Sequence, residues 1–192
     1  MKNNKDDYAQ IEVISRRVLR DWLNEHHEQA ESIWLVTYKK HVSNKYVSYD
    51  DIVEEALCFG WIDSVPRKLD NNRTQVLLSP RKPKSVWSKL NKTRVQKLLS
   101  RGLMRPSGQA KIDIAKANGM WTFLDDVEAL IIPDDLAQQL SKTPMAKANF
   151  EAFSASAKKG ILQWIKMAKK ADTRKQRIEK TAALAAENIR AR

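Results

Sequence analysis

Trp61-Ile62-Asp63-Ser64-Val65-Pro66-Arg67-Lys68-Leu69, then Asp70-Asn71-Asn72-Arg73, then Thr74-Gln75-Val76-Leu77-Leu78-Ser79, is the stretch in which the chain leaves helix geometry. Two short apolar or β-branched runs flank four residues whose side chains favour turns, which predicts a β-hairpin. Pro66 cannot donate to a ladder, so the first strand is expected at a sheet edge or broken at that point. Just upstream, Ser48 followed by Asp51 reads as a capping box opening a helix through Ile52, Val53, Ala56 and Leu57, with Gly60 placed to end it.

Moving outward, Ser85 follows Pro83 and is expected to cap a helix from Val86 to about Ser100, with Gly102 as its left-handed stop. Ser107 is expected to cap a further helix ending at Gly119. Pro133 and Pro144 mark helix starts, the latter behind Thr143. Toward the amino terminus, Ile14, Val18 and Trp22, then Trp34, Leu35 and Tyr38, recur at helical spacing, which predicts helix with its aromatics in the core. Residues 155–192 are nearly all helix formers, broken around Ala171-Asp172-Thr173. With no repeat and no low-complexity linker, residues 1–192 read as one α+β domain, mostly helical. A small antiparallel hairpin or sheet packs against helices, and the C-terminus is basic and helical.

Composition narrows the function classes. The chain has 192 residues, 42% hydrophobic and 30% charged, enough for a core without staples. The single cysteine, Cys58, excludes an internal disulfide and points to a reducing, cytoplasmic compartment. Met1 to Asp7 lacks the apolar core of a signal peptide, and no run approaches the roughly 18 apolar residues of a membrane span, so no membrane insertion is expected.

The formal net charge is +12, and it is segregated: residues 66–116 carry 14 basic side chains against 2 acidic, and residues 158–192 carry 11 against 3. Arg81, Lys82 and Lys84 alternate with prolines that hold an extended backbone, an arrangement suited to phosphates. Lys169, Arg174 and Arg177 form a second basic cluster, and guanidinium groups take bidentate oxyanion contacts. These residues are candidate anion contacts, and the partner class is a nucleic acid or other polyanion, with Trp61 or Trp87 as candidate stacking surfaces.

The rival candidate is a small-ligand site between the hairpin and the helix after Ser85. At helical spacing Trp87, Asn91, Arg94 and Leu98 share one inward stripe, and a partly buried arginine needs an anion. Two readings stand: an ion pair of Arg94 with Asp63 or Asp70 that pins hairpin to helix, or a ligand pocket lined by Trp61, Asp63, Trp87, Asn91 and Arg94. Either ligand would be small and anionic, and an enzyme is included in this rival class.

Reaction motifs are weak. The S-x-x-K spacings at Ser79–Lys82 and Ser156–Lys159 arise readily in a lysine-rich chain and lack companion motifs. His26 and His27 point about 100° apart on a helix and cannot chelate one metal in the i, i+4 manner. With five glycines there is no phosphate-cradling loop, and Cys58 sits in apolar surroundings that favour an inert thiol. No cofactor, metal or catalytic residue is expected.

Glu55-Ala56-Leu57-Cys58-Phe59-Gly60-Trp61-Ile62-Asp63-Ser64, Ser79-Pro80-Arg81-Lys82-Pro83 through Trp87-Ser88-Lys89-Leu90-Asn91, and Ala168-Lys169 with Thr173-Arg174 and Arg177-Ile178 together resemble the YdeI/OmpD-associated family, also labelled bacteriocin-protection proteins. The resemblance runs through nearly the whole chain, with Asp172 where the pattern has Glu. It implies a bacterial protein related to the YjbR/CyaY-like superfamily, with a small antiparallel sheet against helices. It also implies a protective or stress-linked role, with no established reaction, substrate or cofactor.

Overall fold

The computed structural model describes residues 7–192; residues 1–6, on which most of the signal-peptide reading rests, lie outside them. The first elements are β1 (Gln10–Glu12), α1 (Arg16–His26), β2 (Ile33–Tyr38), α2 (Tyr49–Cys58), β3 (Trp61–Lys68), β4 (Arg73–Pro80), α3 (Lys89–Ser100) and α4 (Pro106–Ala117). The hairpin forms where the turn residues sit. Asp70 Oδ1 accepts from the backbone N–H groups of Asn72 (2.8 Å) and Arg73 (2.7 Å), the local bond that makes Asp a turn former. Pro66 sits where the β3–β4 register shifts, and β3 is an edge of the sheet, whose order is β1-β2-β4-β3. Neither consequence of its missing N–H disturbs a central strand.

The fold is α+β, but the sheet is mixed: β1 runs parallel to β2, while β2–β4 and β3–β4 are antiparallel. One of its two inner strands corrects the sequence reading. Ile33–Tyr38 is β2, not helix, and Ile33, Trp34, Leu35, Val36 and Thr37 are all buried. A run covered on both faces has no period-2 signature, so Trp34, Leu35 and Tyr38 mimic helical spacing by accident. Alternation puts Ile33 and Leu35 into the helix-facing core with Val76 and Leu78.

Helix α1 is real but turned relative to expectation. Ser15 caps it by accepting from Val18 N, Leu19 and Leu23 are its buried residues, and Ile14 and Val18 are exposed. Helix α2 begins with the anticipated capping box: Asp51 N donates to Ser48 Oγ at 3.1 Å while that hydroxyl donates to Asp51 Oδ2 at 2.6 Å. It stops at Gly60, whose φ of +78° is the left-handed conformation glycine adopts freely.

Two caps shift. Helix α3 begins at Lys89 with Ser88 as its cap, not at Val86 with Ser85, because Ser85 Oγ accepts from Lys82 N in a turn and Ser88 Oγ receives Asn91 N. Trp87 therefore precedes the helix. Helix α4 places Pro106 at its first turn with Arg105 at the cap position, so Ser107 lies inside the helix. Its next residue, Gly108, meets the end of α2: a Cβ there would lie 2.2 Å from the Cys58 carbonyl oxygen.

The chain divides into two compact units, one ending at Thr122 and one spanning Phe123–Arg192. The second is helical: α5 (Asp125–Glu128), α6 (Asp134–Ser141), α7 (Pro144–Ala152), α8 (Ala155–Lys166) and α9 (Ala171–Ala186). Pro133 and Pro144 stand at helix starts, with Thr143 at the α7 cap position. Leu136, Leu140, Phe150, Ile161, Ile165, Ile178 and Ala185 are among its buried residues. No linker composition marks the division at residue 122, which is why the sequence reads as continuous.

Candidate functional site

Trp61 and Trp87 are 0% and 1% exposed, so neither ring offers an open wall. Trp61 Nε1 donates to the His27 carbonyl (3.1 Å) and its ring meets Trp22 edge-on, tying β3 to the end of α1. Trp87 lies between the Arg81 guanidinium, 3.7 Å from its ring centroid, and Trp121, 5.0 Å away at 49°. Arg94 pairs with Asp50 on α2 and donates to Asn91 Oδ1 at 3.2 Å. The hairpin acids have other partners. Asp63 accepts from the Tyr49 hydroxyl, and burial followed by the Asp63 bond pushes that phenol up to about 12. Asp70 pairs with Arg73. Arg94 thus pins α3 to α2 rather than to the hairpin.

An ion-pair network between α1 and α2 escaped the sequence reading. Glu55, 1% exposed, accepts from Arg16 Nε and Arg20 Nη1, both at 2.7 Å. Arg16 also reaches Asp51 (2.5 Å) and Glu54 (3.0 Å), and Lys97 from α3 reaches Glu54 at 3.2 Å. Burial works against the Arg16 charge, but its bonds to Glu55, Asp51 and Glu54 more than offset that and hold its pKa above the usual arginine value. The signal was present: Arg16 and Arg20 are spaced i, i+4, and Glu54-Glu55 interrupts an apolar helix. Cys58 is fully buried beside this network, and burial, then the Glu55 charge, pushes its thiol up to about 11.

The basic residues divide by surroundings. Lys82, Lys84 and Lys169 are exposed. Arg81 is 3% exposed. Arg174 makes a bidentate pair with Asp135 (2.7 and 2.9 Å), and Arg177 donates to the Trp164 carbonyl with its guanidinium 5.0 Å from that ring's centroid. Lys82 and Lys84 belong to the first unit, Lys169, Arg174 and Arg177 to the second.

Within the first unit, Trp121 is the partly exposed tryptophan with cations on its ring: Lys116 Nζ is 5.6 Å from its centroid and Lys92 Nζ 5.9 Å. Asn118 Nδ2 donates to the Pro83 carbonyl at 2.8 Å, which fastens the Lys82–Lys84 loop to the end of α4 that carries Lys116. The loop that carries exposed Lys82 and Lys84 is therefore tied to the helix end whose exposed Lys116 lies over the partly exposed Trp121 ring. In the second unit, Gly160, Gln163, Trp164, Met167, Arg177 and Arg192 line a cleft of about 420 Å³. Among the described residues, no three His, Cys, Asp or Glu side chains converge as metal ligands, and no helix is long and apolar enough to cross a membrane.

Residues 11–111 match the family model described as a domain of unknown function, DUF8412. Residues 129–188 match the model described as Bacteriocin-protection, YdeI or OmpD-Associated. The second match is thus confined to the second unit, whereas the residues that suggested it run through both. Neither a curated protein nor a solved structure matches the chain.

Proposed function

The chain belongs to the family of the domain of unknown function DUF8412 and carries a YdeI/OmpD-associated segment, and from that premise we propose that it is a non-catalytic binding protein for a polyanion, a single-stranded nucleic acid foremost. The observation that carries this reading is the partly exposed Trp121 with Lys116 over its ring, on the helix end to which the loop of exposed Lys82 and Lys84 is hydrogen-bonded. Single strands are held by cations that track the backbone and by aromatic rings on which bases stack, with little demand on base identity. Trp121 supplies the ring, its lysines supply phosphate contacts, and the segment's excess of base over acid supplies the long-range attraction.

Buried Trp87 supports this surface. Trp87 packs against Trp121 at a tilt of 49° and Arg81 packs on Trp87, so the accessible indole rests on buried side chains. The bacteriocin-protection label of the matched family fits a protective role in a bacterial cell, which is the physiological setting we assign. The test is quenching of tryptophan fluorescence by a single-stranded oligonucleotide, compared between the natural protein and Trp121→Phe and Trp121→Ala variants. Stacking is worth roughly 1–3 kcal/mol per base, so Trp121→Ala should weaken binding by about tenfold or more, with Trp121→Phe in between. Equal affinity in all three proteins would remove Trp121 from the interface.

A further inference from the structure

Arg81 is a buried cation with one edge left without hydrogen-bond partners. It is 3% exposed, Nη1 donates to the Val86 carbonyl at 3.2 Å, and Nε and Nη2 are buried without a hydrogen-bond partner. Those two nitrogens share one edge of the planar guanidinium. Their N–H bonds run parallel, the geometry that grips two oxygens of one carboxylate or phosphate. Asp63 acts on Arg81 through charge alone, and its Oδ2 accepts from the Tyr49 hydroxyl. Burial pushes the guanidinium down to about 10 and the charge of Asp63 only partly offsets it, so this cation lacks a sufficient counter-charge.

We propose that the Nε/Nη2 edge of Arg81 is a binding site for one oxyanion, a carboxylate or phosphate group, held beside Trp87 in the interior of the first unit. The edge is preorganised. The Trp87 ring lies under the guanidinium at 3.7 Å, Arg81 N donates to the Gly60 carbonyl at 2.9 Å, and the Lys82–Ser85 turn closes the loop behind it. Ser107 Oγ is also buried without a partner, as is Gln75 Oε1, and the Ser107 carbonyl lies 3.0 Å from where a Cβ on Gly60 would sit. The backbones of Arg81 and Ser107 thus both meet Gly60.

This site differs from the polyanion surface in what can reach it. A nucleic-acid backbone lies on exposed cations such as Lys82 and Lys84, whereas Arg81, 3% exposed, offers no surface for a polymer backbone to lie on. The two proposals therefore fail separately.

The test follows the Arg81 side-chain Nε–H resonance by NMR in the full chain during titration with sodium phosphate and, separately, sodium acetate, against sodium chloride at matched ionic strength. A saturable downfield shift with either oxyanion, beyond that given by chloride, is the expected result, and the stronger of the two identifies the group. The shift should persist in a Lys82→Gln/Lys84→Gln variant. As a second readout, phosphate or acetate should raise the melting temperature over its value in chloride by more in the natural protein than in Arg81→Lys, which keeps the charge but loses the fork, the rise in the variant being the general effect of an excluded salt. A resonance that moves no more with oxyanions than with chloride overturns the proposal and leaves an internal water as the group that satisfies Arg81.

Discussion

Arg16 Nε donates to Glu55 Oε1 at 2.7 Å, joining the helix that precedes inner strand β2 to the helix that leads into the hairpin. Glu55 is nearly inaccessible while Arg16 retains about a third of its side-chain exposure, so the bond is half in and half out of water. Removing one partner of such a pair costs more than the pair contributes, because the remaining charge stays desolvated. Glu55→Gln keeps the shape and removes the charge that serves both Arg16 and Arg20. The expected loss is about 2–3 kcal/mol in urea unfolding, below the figure for a fully buried pair because both arginines keep some water. An unchanged urea midpoint would show that the network contributes nothing to stability.

Two glycines should respond to alanine with opposite sign. Gly108→Ala drives a Cβ to 2.2 Å from the Cys58 carbonyl oxygen, a backbone atom that cannot swing aside, so α4 must move off the end of α2. Gly160 lies inside α8 with nothing within 4 Å of the added methyl. Gly108→Ala should cost several kcal/mol, on the order of a severe overpacking change, while Gly160→Ala should stabilise by about 0.5–1 kcal/mol through helix propensity. Thermal melting of the two variants beside the natural protein measures both.

Acid should unfold the protein through carboxylates whose folded pKa lies below the unfolded value. Burial raises the Asp51 carboxyl, but the bonds from Ser48 and Arg16 outweigh it, and the Arg174 bond does the same for Asp135 against burial. A lowered folded pKa means that the unfolded chain binds protons first, so this stability is complete above the ordinary aspartate value and is lost as pH falls through about 4 and below. At the other end, the Cys58 thiol has its pKa raised from 9.0 to about 11, so stability falls as pH rises across that interval. Melting temperature against pH should therefore drop at both ends, and Cys58→Ser or Cys58→Ala should flatten only the alkaline limb.

How far the fold could be read from residues follows from where each signal was local. The Asp70 turn, the Ser48–Asp51 box and the Gly60 stop each depend on a side chain bonding within a few residues of itself, and all three are present. Strand β2 carries no strand signature in its residues because burial on both faces erases alternation. The Ser85 and Ser107 caps failed because other residues at the same helix start competed better: Ser88 for the α3 amides, Pro106 for the first turn of α4.

Partners across the fold were harder still. The sequence showed that Arg94 needed an anion, but Asp50 on α2, not a hairpin acid, meets it. Arg81 stood among exposed lysines as one more surface cation, and only the packing of Trp87 reveals that it is buried.

The central claim is that exposed lysines around Trp121 hold a polyanion, and its most direct measurement is fluorescence anisotropy of labelled single-stranded DNA and RNA titrated with the full chain across a salt series. Each phosphate neutralised on a single strand adds about 0.7 to the slope of log affinity against log salt. The account predicts affinity that falls steeply with salt, and a Lys82→Gln/Lys84→Gln/Lys116→Gln variant with a slope shallower by roughly 2. Absence of binding at the lowest salt, or a variant whose slope equals that of the natural protein, would contradict it.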